Sequence, residues 1–455
     1  MIDLGHLKGK TVAVLGLGKS GASAARALAA GGATVLAWDD GKTDAVAGLD
    51  GVTITDLGAA DFGGIAMLVL SPGIPRRHPA PHPAVARAEA AGCPVVSDID
   101  LLAQARPGSH YLGITGTNGK STTTALVGHI LTHAGLPAQI GGNLGMPALS
   151  LKPLDDDGWY VLELSSYQLE TLTAPRFEIG VLINVAPDHL DRYAGIDDYA
   201  DAKRRLYALQ PEGATAVVGI DDALSAATRA DLARRTGCRV VPISVTEAPG
   251  GGVYVEDGRL IDATTGTPRA VLDLREVPTL PGVHNWQNAA AAYAAASAAG
   301  VPGSVIVGAM RSFPGLRHRQ ELVGTLDGLR FINDSKATNP DAAARALTCY
   351  DTVYWIAGGL AKQGGLDELT PHLGRIAHAF LIGEAAEDFA AYLDGRVPFQ
   401  RCGDVTTAVD AAHARALADG AGDAVVLLSP ACASWDQFAS FEARGDAFVA
   451  AVRAL

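Results

Sequence analysis

Cysteine, lysine and long apolar runs are what this chain has little of. Its 455 residues include five cysteines. Cys93, Cys238, Cys349, Cys402 and Cys432 stand far apart, with no paired spacing. That argues against a disulfide framework and against a zinc site, and it fits a reducing compartment. No apolar stretch reaches the length needed to span a bilayer. The N-terminus, MIDLGHLKGK, lacks the apolar centre of a signal peptide. A soluble, cytoplasmic protein with no membrane partner is expected. Positive charge is in deficit: 36 Lys and Arg against 49 Asp and Glu give a formal net charge of −13. General nucleic-acid binding leaves a basic footprint, so it is not expected either. An acidic chain still binds small anions through local basic side chains and helix termini. Short-period repeats and a low-complexity tail are missing as well.

What remains is a globular composition, 48% hydrophobic and 19% charged, in a chain long enough for two or three domains. Strand, loop and helix patterns alternate throughout, which predicts an α/β protein. Three blocks are expected: 1–97, 98–314 and 315–455. The first opens with a strand at 11–15, then Gly16-Leu-Gly18-Lys-Ser-Gly21, an Ala-rich helix to Ala30, and a second strand ending at Asp39-Asp40. That is a dinucleotide-binding β-α-β fingerprint, acidic residue included. It permits close approach of any diphosphate that carries a ribose. Short antiparallel strands are expected over 240–270, and a helix over 285–299. In the third block, polar residues collect after strands at Asn333–Lys336, Gly358–Lys362 and Ser429–Ser434. Ligands of open parallel sheets bind at such carboxyl ends.

The most specific stretch is Leu112–Thr124, LGITGTNGKSTTT. An apolar strand runs into Gly116-Thr117-Asn118-Gly119-Lys120-Ser121-Thr122 and then a helix start. Glycines let backbone N–H groups close on phosphate oxygens, and the helix N-terminus adds positive dipole. Lys120 reaches the terminal phosphates in such loops, and the Ser121 hydroxyl sits on magnesium. The common form has a glycine five positions before the second glycine; here Ile114 stands there. Phosphoryl transfer also needs a metal and charge clamps. Glu163, at the end of a neighbouring strand, suits magnesium or a water. His189, with Asp188 and Asp191, makes a polar cluster at another strand tip. Lys203, on a helix over 196–209, reads on residues alone as a solvated lysine, and Arg204 and Arg205 as solvated or phosphate-facing. Asn285 and Asn288 share a helix face suited to a base or ribose, although Asn285 also suits an N-cap. Arg319 follows Pro314-Gly315, a candidate hinge.

Eight motifs, in order along the whole chain, resemble the Mur ligases of peptidoglycan synthesis: GITGTNGKSTTT, ELSSYQLE, NVAPDHLDRY, DAKRRLY, LPGVHNWQNAAAA, GLRHRQE, INDSKATNP and LLSPACASWDQF. The last two resemble the branch that adds D-glutamate. The resemblance implies an N-terminal Rossmann-like domain for a UDP-sugar, a central P-loop ATPase-type α/β domain and a C-terminal Rossmann-like domain for the amino acid. It implies the substrates UDP-N-acetylmuramoyl-L-alanine, D-glutamate and ATP, and a monomer. Lys19, Ser20, Asp39, Gly73 and Asn143 would contact the UDP-sugar. The family often has an arginine where Gly41 stands. Ser121 and Glu163 would hold one Mg2+, and His189 a second. Lys203 would be carbamylated by CO2 and support that second ion. Lys120, His189 and Lys203 would be catalytic. Gly116–Thr122, Asn285, Asn288, Arg319 and Asp334 would hold ATP. Lys336, Thr338, Lys362, Ser434, Trp435 and Phe441 would bind D-glutamate, Trp435 through its backbone.

Two other classes stay open on the residues alone. A nicotinamide-dependent dehydrogenase would use the first glycine fingerprint and show turnover of NADH. A nucleotide-driven regulator would hydrolyse ATP independently of any amino acid.

Overall fold

A computed structural model describes residues 1–41, 43–143, 145–174, 176–188, 192–235, 237–361 and 365–455. His189, Asp191 and Lys362 lie outside the described residues. The chain folds as two compact units. One joins Met1–Glu276 with Asn285–Ser312, and the other joins Val277–His284 with Phe313–Leu455.

The first unit holds two sheets. The smaller is five-stranded and all parallel, in the order Val52–Ile54, Thr34–Trp38, Thr11–Leu15, Met67–Leu70, Val95–Val96. Thr11–Leu15 is buried over its last four residues, as a strand covered on both faces must be. Helix Lys19–Ala30 packs on it. The glycine at 21 is what lets it come close: a Cβ there would stand 1.7 Å from the Gly16 carbonyl oxygen.

The larger sheet has nine strands. His110–Thr115 lies between Trp159–Glu163 and Ile179–Leu182, parallel to both. Ala138–Gly142 extends one side. Thr215–Gly219, Arg239–Ser244 and Val253–Glu256 extend the other, still parallel. Arg259–Asp262 alone reverses direction, antiparallel to both of its neighbours, Val253–Glu256 and Arg269–Asp273. The expected run of antiparallel strands over 240–270 is therefore corrected at its start. Helix Ala223–Leu232 supplies the crossover that makes Arg239–Ser244 parallel. Val253–Glu256 pairs with the preceding strand only through Ile243 and Ser244. With so little overlap the chain continues forward and needs no crossover. The two sheets share one apolar cluster, which runs from Val12, Val14 and Leu28 to Tyr160, Leu162 and Phe177.

The second unit is built on six strands in the order Glu321–Leu326, Leu329–Asn333, Val425–Leu428, Val353–Gly358, Ile376–Ile382, Phe399–Gly403. All but the first are parallel. Buried residues cover both faces. No helix among the described residues is long and apolar enough to cross a membrane.

Candidate active site

Strand His110–Thr115 delivers the phosphate loop, and helix Lys120–His133 receives it. Gly119 caps that helix at φ +83, and a Cβ there would stand 2.0 Å from Asn288 Oδ1. Glycine is thus required both by the left-handed turn and by the approach of the second helix. Asn285 is the third residue of helix Val283–Ala298, not its N-cap. Its Oδ1 accepts a bond of 3.1 Å from Asn288 Nδ2, and Thr123 Oγ1 donates to Asn288 Oδ1 at 3.4 Å. The two asparagines are fixed beside the loop.

Lys120 Nζ folds back onto the loop, donating to the carbonyls of Gly116 (3.0 Å) and Thr117 (2.8 Å). Lys203 Nζ reaches the same Gly116 oxygen at 2.8 Å and lies 4.4 Å from the centre of the Tyr199 ring. Lys203 is 1% exposed, which overturns its reading as a solvated lysine. Burial pushes its ammonium far below the ordinary lysine range. The charge of Lys120 adds to the shift, and Asp188 opposes it. The signal was present in the helix period: Tyr199, Lys203, Leu206 and Tyr207 fall on the buried face of Ile196–Ala208. Arg204 and Arg205 are both tied into the fold by hydrogen bonds. Arg204 binds Thr228, Asp201 and the Leu224 carbonyl, and Arg205 the carbonyls of Leu169 and Leu172.

Glu163 closes its strand with its side chain buried. Oε1 accepts from Asn143 Nδ2 at 2.8 Å, while Oε2 is buried with no hydrogen-bond partner. An unpartnered carboxylate oxygen is costly unless something else satisfies it. Ser121, also buried, opens the neighbouring helix. A carboxylate and a hydroxyl are hard oxygen donors of the kind magnesium takes, so these residues fit that ion.

A cavity of about 460 Å³ opens at the carboxyl ends of the first sheet. Lys19, Ser20, Asp39, Gly73 and Asn143 all line it. Asp39 accepts from the amides of Leu17 (2.6 Å) and Gly41 (2.9 Å), so it also shapes the glycine turn. The reading of the residues missed Gln168, Ser71 and Ile74, which line the same cavity. Gln168 was visible as the last residue of a Ser-x-x-Gln capping box, formed here with Ser165.

In the second unit the loop after Leu329–Asn333 carries Asp334, Lys336 and Thr338. Ser429 Oγ donates to Asp334 Oδ2 at 2.9 Å and Gln320 N to Oδ1 at 3.2 Å. Burial raises the Asp334 carboxyl to about 7, against those bonds and the charge of Arg319. Lys336 Nζ lies 3.9 Å from the centre of the Phe441 ring. Ser434 is buried at 2% exposure, while Trp435 next to it is 70% exposed.

The residue that joins these tips was not anticipated. Arg444 is 1% exposed. It donates from Nε to Ser335 Oγ (3.0 Å), from Nη2 to the carbonyls of Ser335 (3.0 Å) and Cys432 (3.0 Å), and from Nη1 to that of Ala433 (3.2 Å). Its position on the buried face with Phe448 was the available signal.

Two family models match the chain: "Mur ligase middle domain" over residues 114–296 and "Mur ligase, glutamate ligase domain" over 318–432. The UDP-N-acetylmuramoylalanine–D-glutamate ligase of Paramagnetospirillum magneticum is 54% identical, over 100% of this chain and 98% of that protein. The enzyme of the same name from Rhodospirillum rubrum is also 54% identical, over 98% of this chain and 95% of that protein. In fold the chain is similar to UDP-N-acetylmuramate–alanine ligase from Thermotoga maritima, with TM-score 0.58 at 15% identity over 98% of this chain and 99% of that one. It is also similar to MurF from Acinetobacter baumannii, with TM-score 0.58 at 18% identity over 99% of this chain and 93% of that one.

Proposed function

The chain belongs to the Mur ligase family, and from that premise we propose how its residues share the work. It is an ATP-dependent ligase of peptidoglycan precursor synthesis that adds D-glutamate to UDP-N-acetylmuramoyl-L-alanine. The end-to-end match to D-glutamate ligases carries this conclusion, because every ligand-bearing strand tip falls inside the matched length.

Three domains, 1–97, 98–314 and 315–455, divide the three ligands. The glycine turn at Gly16–Gly21, with Lys19, Ser20, Asp39, Gly73 and Asn143, holds the UDP-sugar. The loop Gly116–Thr122, with Asn285, Asn288, Arg319 and Asp334, holds ATP. Lys336, Thr338, Lys362, Ser434, Trp435 and Phe441 hold D-glutamate, two lysines facing two carboxylates.

The carboxylate of the alanyl group attacks the γ-phosphorus of ATP, ADP leaves, and an acyl phosphate forms. The D-glutamate amine then attacks the acyl carbon, and phosphate leaves as the amide closes. Lys120 exchanges its loop carbonyls for phosphate oxygens and stabilises the charge that develops. Ser121 and Glu163 would hold one magnesium ion and His189 a second; bound there, such ions neutralise phosphate charge. Burial favours the free amine of Lys203 over its ammonium; that amine can attack CO2 with loss of one proton to solvent, and the resulting carbamate would turn a neutral position into an anionic one beside the second ion. The acyl phosphate has to be kept from water until the amine attacks it. On this reading the work is done in the cytoplasm, where ATP is supplied, by a monomer that binds neither nucleic acid nor membrane.

The test is ATP-dependent phosphate release across a panel of amino acids with the UDP-sugar present. Release is expected with D-glutamate alone. Equal rates with L-glutamate or meso-diaminopimelate would overturn the assignment, and release without any amino acid would favour a nucleotide-driven regulator.

A further inference from the structure

Asp221, just after the strand Thr215–Gly219, belongs to none of the ligand sites above. Its Oδ1 accepts from Ser244 Oγ (2.5 Å), Val245 N (3.1 Å) and Thr246 Oγ1 (2.7 Å). Its Oδ2 accepts from Gln287 Nε2 at 2.7 Å. A carboxylate has no hydrogen to give, so Gln287 is obliged to turn its nitrogen towards Asp221 and its oxygen the other way. There Asn184 Nδ2 donates to Gln287 Oε1 at 2.9 Å. Asn184 is then left with Oδ1, which accepts from the Asn118 N–H of the phosphate loop at 2.9 Å. The Asn184 backbone oxygen accepts from Thr117 N at 2.9 Å. One residue thereby holds two consecutive amides of the loop, and the carboxylate two hydrogen bonds away supports the side-chain orientation that the Asn118 N–H requires.

We propose that Asp221 is a positioning residue for the phosphate loop: its carboxylate sets the direction of a two-amide relay, Gln287 and Asn184, that holds Asn118 N–H in place. The carboxylate itself never meets the nucleotide. An amide can be read in either direction, and a chain of amides has two polarities that differ by a flip of each member. Two ends of this chain cannot flip, the Asp221 carboxylate and the Asn118 N–H, and as built they call for the same polarity. An asparagine in its place keeps the shape and can keep an oxygen towards Ser244, Val245 and Thr246. It then offers an N–H to Gln287. Gln287 turns over to accept it, Asn184 turns over in response, and its Nδ2 is brought against the Asn118 N–H. Donor faces donor in a half-buried place, and the loop must shift to relieve it.

The proposal rests on the reading that this loop holds ATP. Its test uses the full chain and the non-hydrolysable analogue AMP-PNP with magnesium, measured by calorimetry, alongside steady-state kinetics. Asp221→Asn is expected to weaken analogue binding about tenfold and to raise KM for ATP by a similar factor, the size of effect that one mispaired, half-buried donor produces. KM for D-glutamate should not move. Gln287→Glu, which leaves the Asp221 bonds to residues 244–246 in place, sets two carboxylates against each other and should weaken binding as much. The double variant Asp221→Asn/Gln287→Glu restores the polarity: the side-chain amide introduced at position 221 donates to the new carboxylate, which still accepts from Asn184. Its binding should return to within about threefold of the parent, a rescue that general damage to the fold cannot produce. Unchanged affinity in Asp221→Asn, or a double variant no better than the single ones, would overturn the relay. A parent chain that binds the analogue but makes no product with D-glutamate would overturn the ligase reading and leave the relay to be judged by binding.

Discussion

Arg444 offers the sharpest test of how the second unit is held together. Replacing it with Met keeps a long apolar stem and removes every donor. Four buried acceptors then lose this donor: the carbonyls of Ser335 and Cys432, Ser335 Oγ, which still donates to the Phe441 carbonyl, and the Ala433 carbonyl, which still accepts from Leu360 N. At about 1–3 kcal/mol for each lost hydrogen bond to the cation, the loss is about 4–12 kcal/mol. An opposing term must be set against it. Burial has pushed the Arg444 guanidinium down to about 10 from 12.5. Keeping a cation there costs about 3 kcal/mol by the usual conversion, and Met no longer bears that cost. The balance is about 1–9 kcal/mol; because two of the four acceptors keep another partner, the lower half of that range is expected, a destabilisation of about 4 kcal/mol, comparable with breaking other buried charged networks. For a unit of this size that lowers the melting temperature by about 10 °C. Arg444→Lys keeps the charge but not the fork, and should fall between Met and the parent. Hydrogen exchange read by mass spectrometry localises the effect. Protection should drop in Leu329–Asn333, Val353–Gly358 and Val425–Leu428 and hold in His110–Thr115. A melting shift under about 2 °C, or equal loss of protection in both units, would refute this accounting.

Three other expectations follow from separate parts of the structure. Gly119→Ala combines a left-handed residue with a Cβ placed 2.0 Å from Asn288 Oδ1; it should weaken AMP-PNP binding by about 100-fold with the fold intact by circular dichroism, and binding within a few fold of the parent would contradict it. Lys203→Ala should be nearly inactive and regain part of its rate with added formate or acetate, whereas full activity without them removes the carbamate from the mechanism. Because the Asp334 carboxyl is raised to about 7 when folded and is ordinary when unfolded, the native form retains the proton between about pH 4 and pH 7, so stability of the second unit should fall as pH rises through that window; Asp334→Asn should flatten the profile, and an unchanged slope in urea titrations at pH 5 and pH 8 would count against the burial argument.

The elements carrying glycine turns were plain in the sequence, because their chemistry is local. Gly16–Gly21 and Gly116–Gly119 each announce a strand end, a tight turn and a helix start within a few residues, and the strands Thr11–Leu15, Thr34–Trp38 and Met67–Leu70 fall where the apolar runs indicate. What stayed hidden depends on tertiary burial. Lys203 sits in a charged run, and only the helical period of its apolar neighbours points it inward. Asn285 looks like a cap until the helix is seen to begin at Val283. Arg444 and Asp221 do their work through residues more than a hundred or some sixty positions away, a distance over which pattern carries no information. Direction along the larger sheet was misread over 240–270 because a staggered parallel continuation has the same short, Gly-punctuated text as a hairpin.

The boundary between the two units bears on how this enzyme can be taken apart. Helix Val283–Ala298 begins in the second unit and continues in the first. The segment Val277–His284 is tied to later chain: Thr279 Oγ1 donates to the Phe313 carbonyl at 2.8 Å, Gln320 Nε2 and His284 Nε2 are 3.3 Å apart, and Gly282 lies against Cys349. A fragment cut at Phe313 would leave that strip behind, and so expose the Cys349 flank of its own core. The second unit is therefore no detachable cassette. Swapping it between relatives calls for two exchanges, residues 277–284 together with everything from 313 onward, and the incoming strip has to be spliced in the middle of a helix.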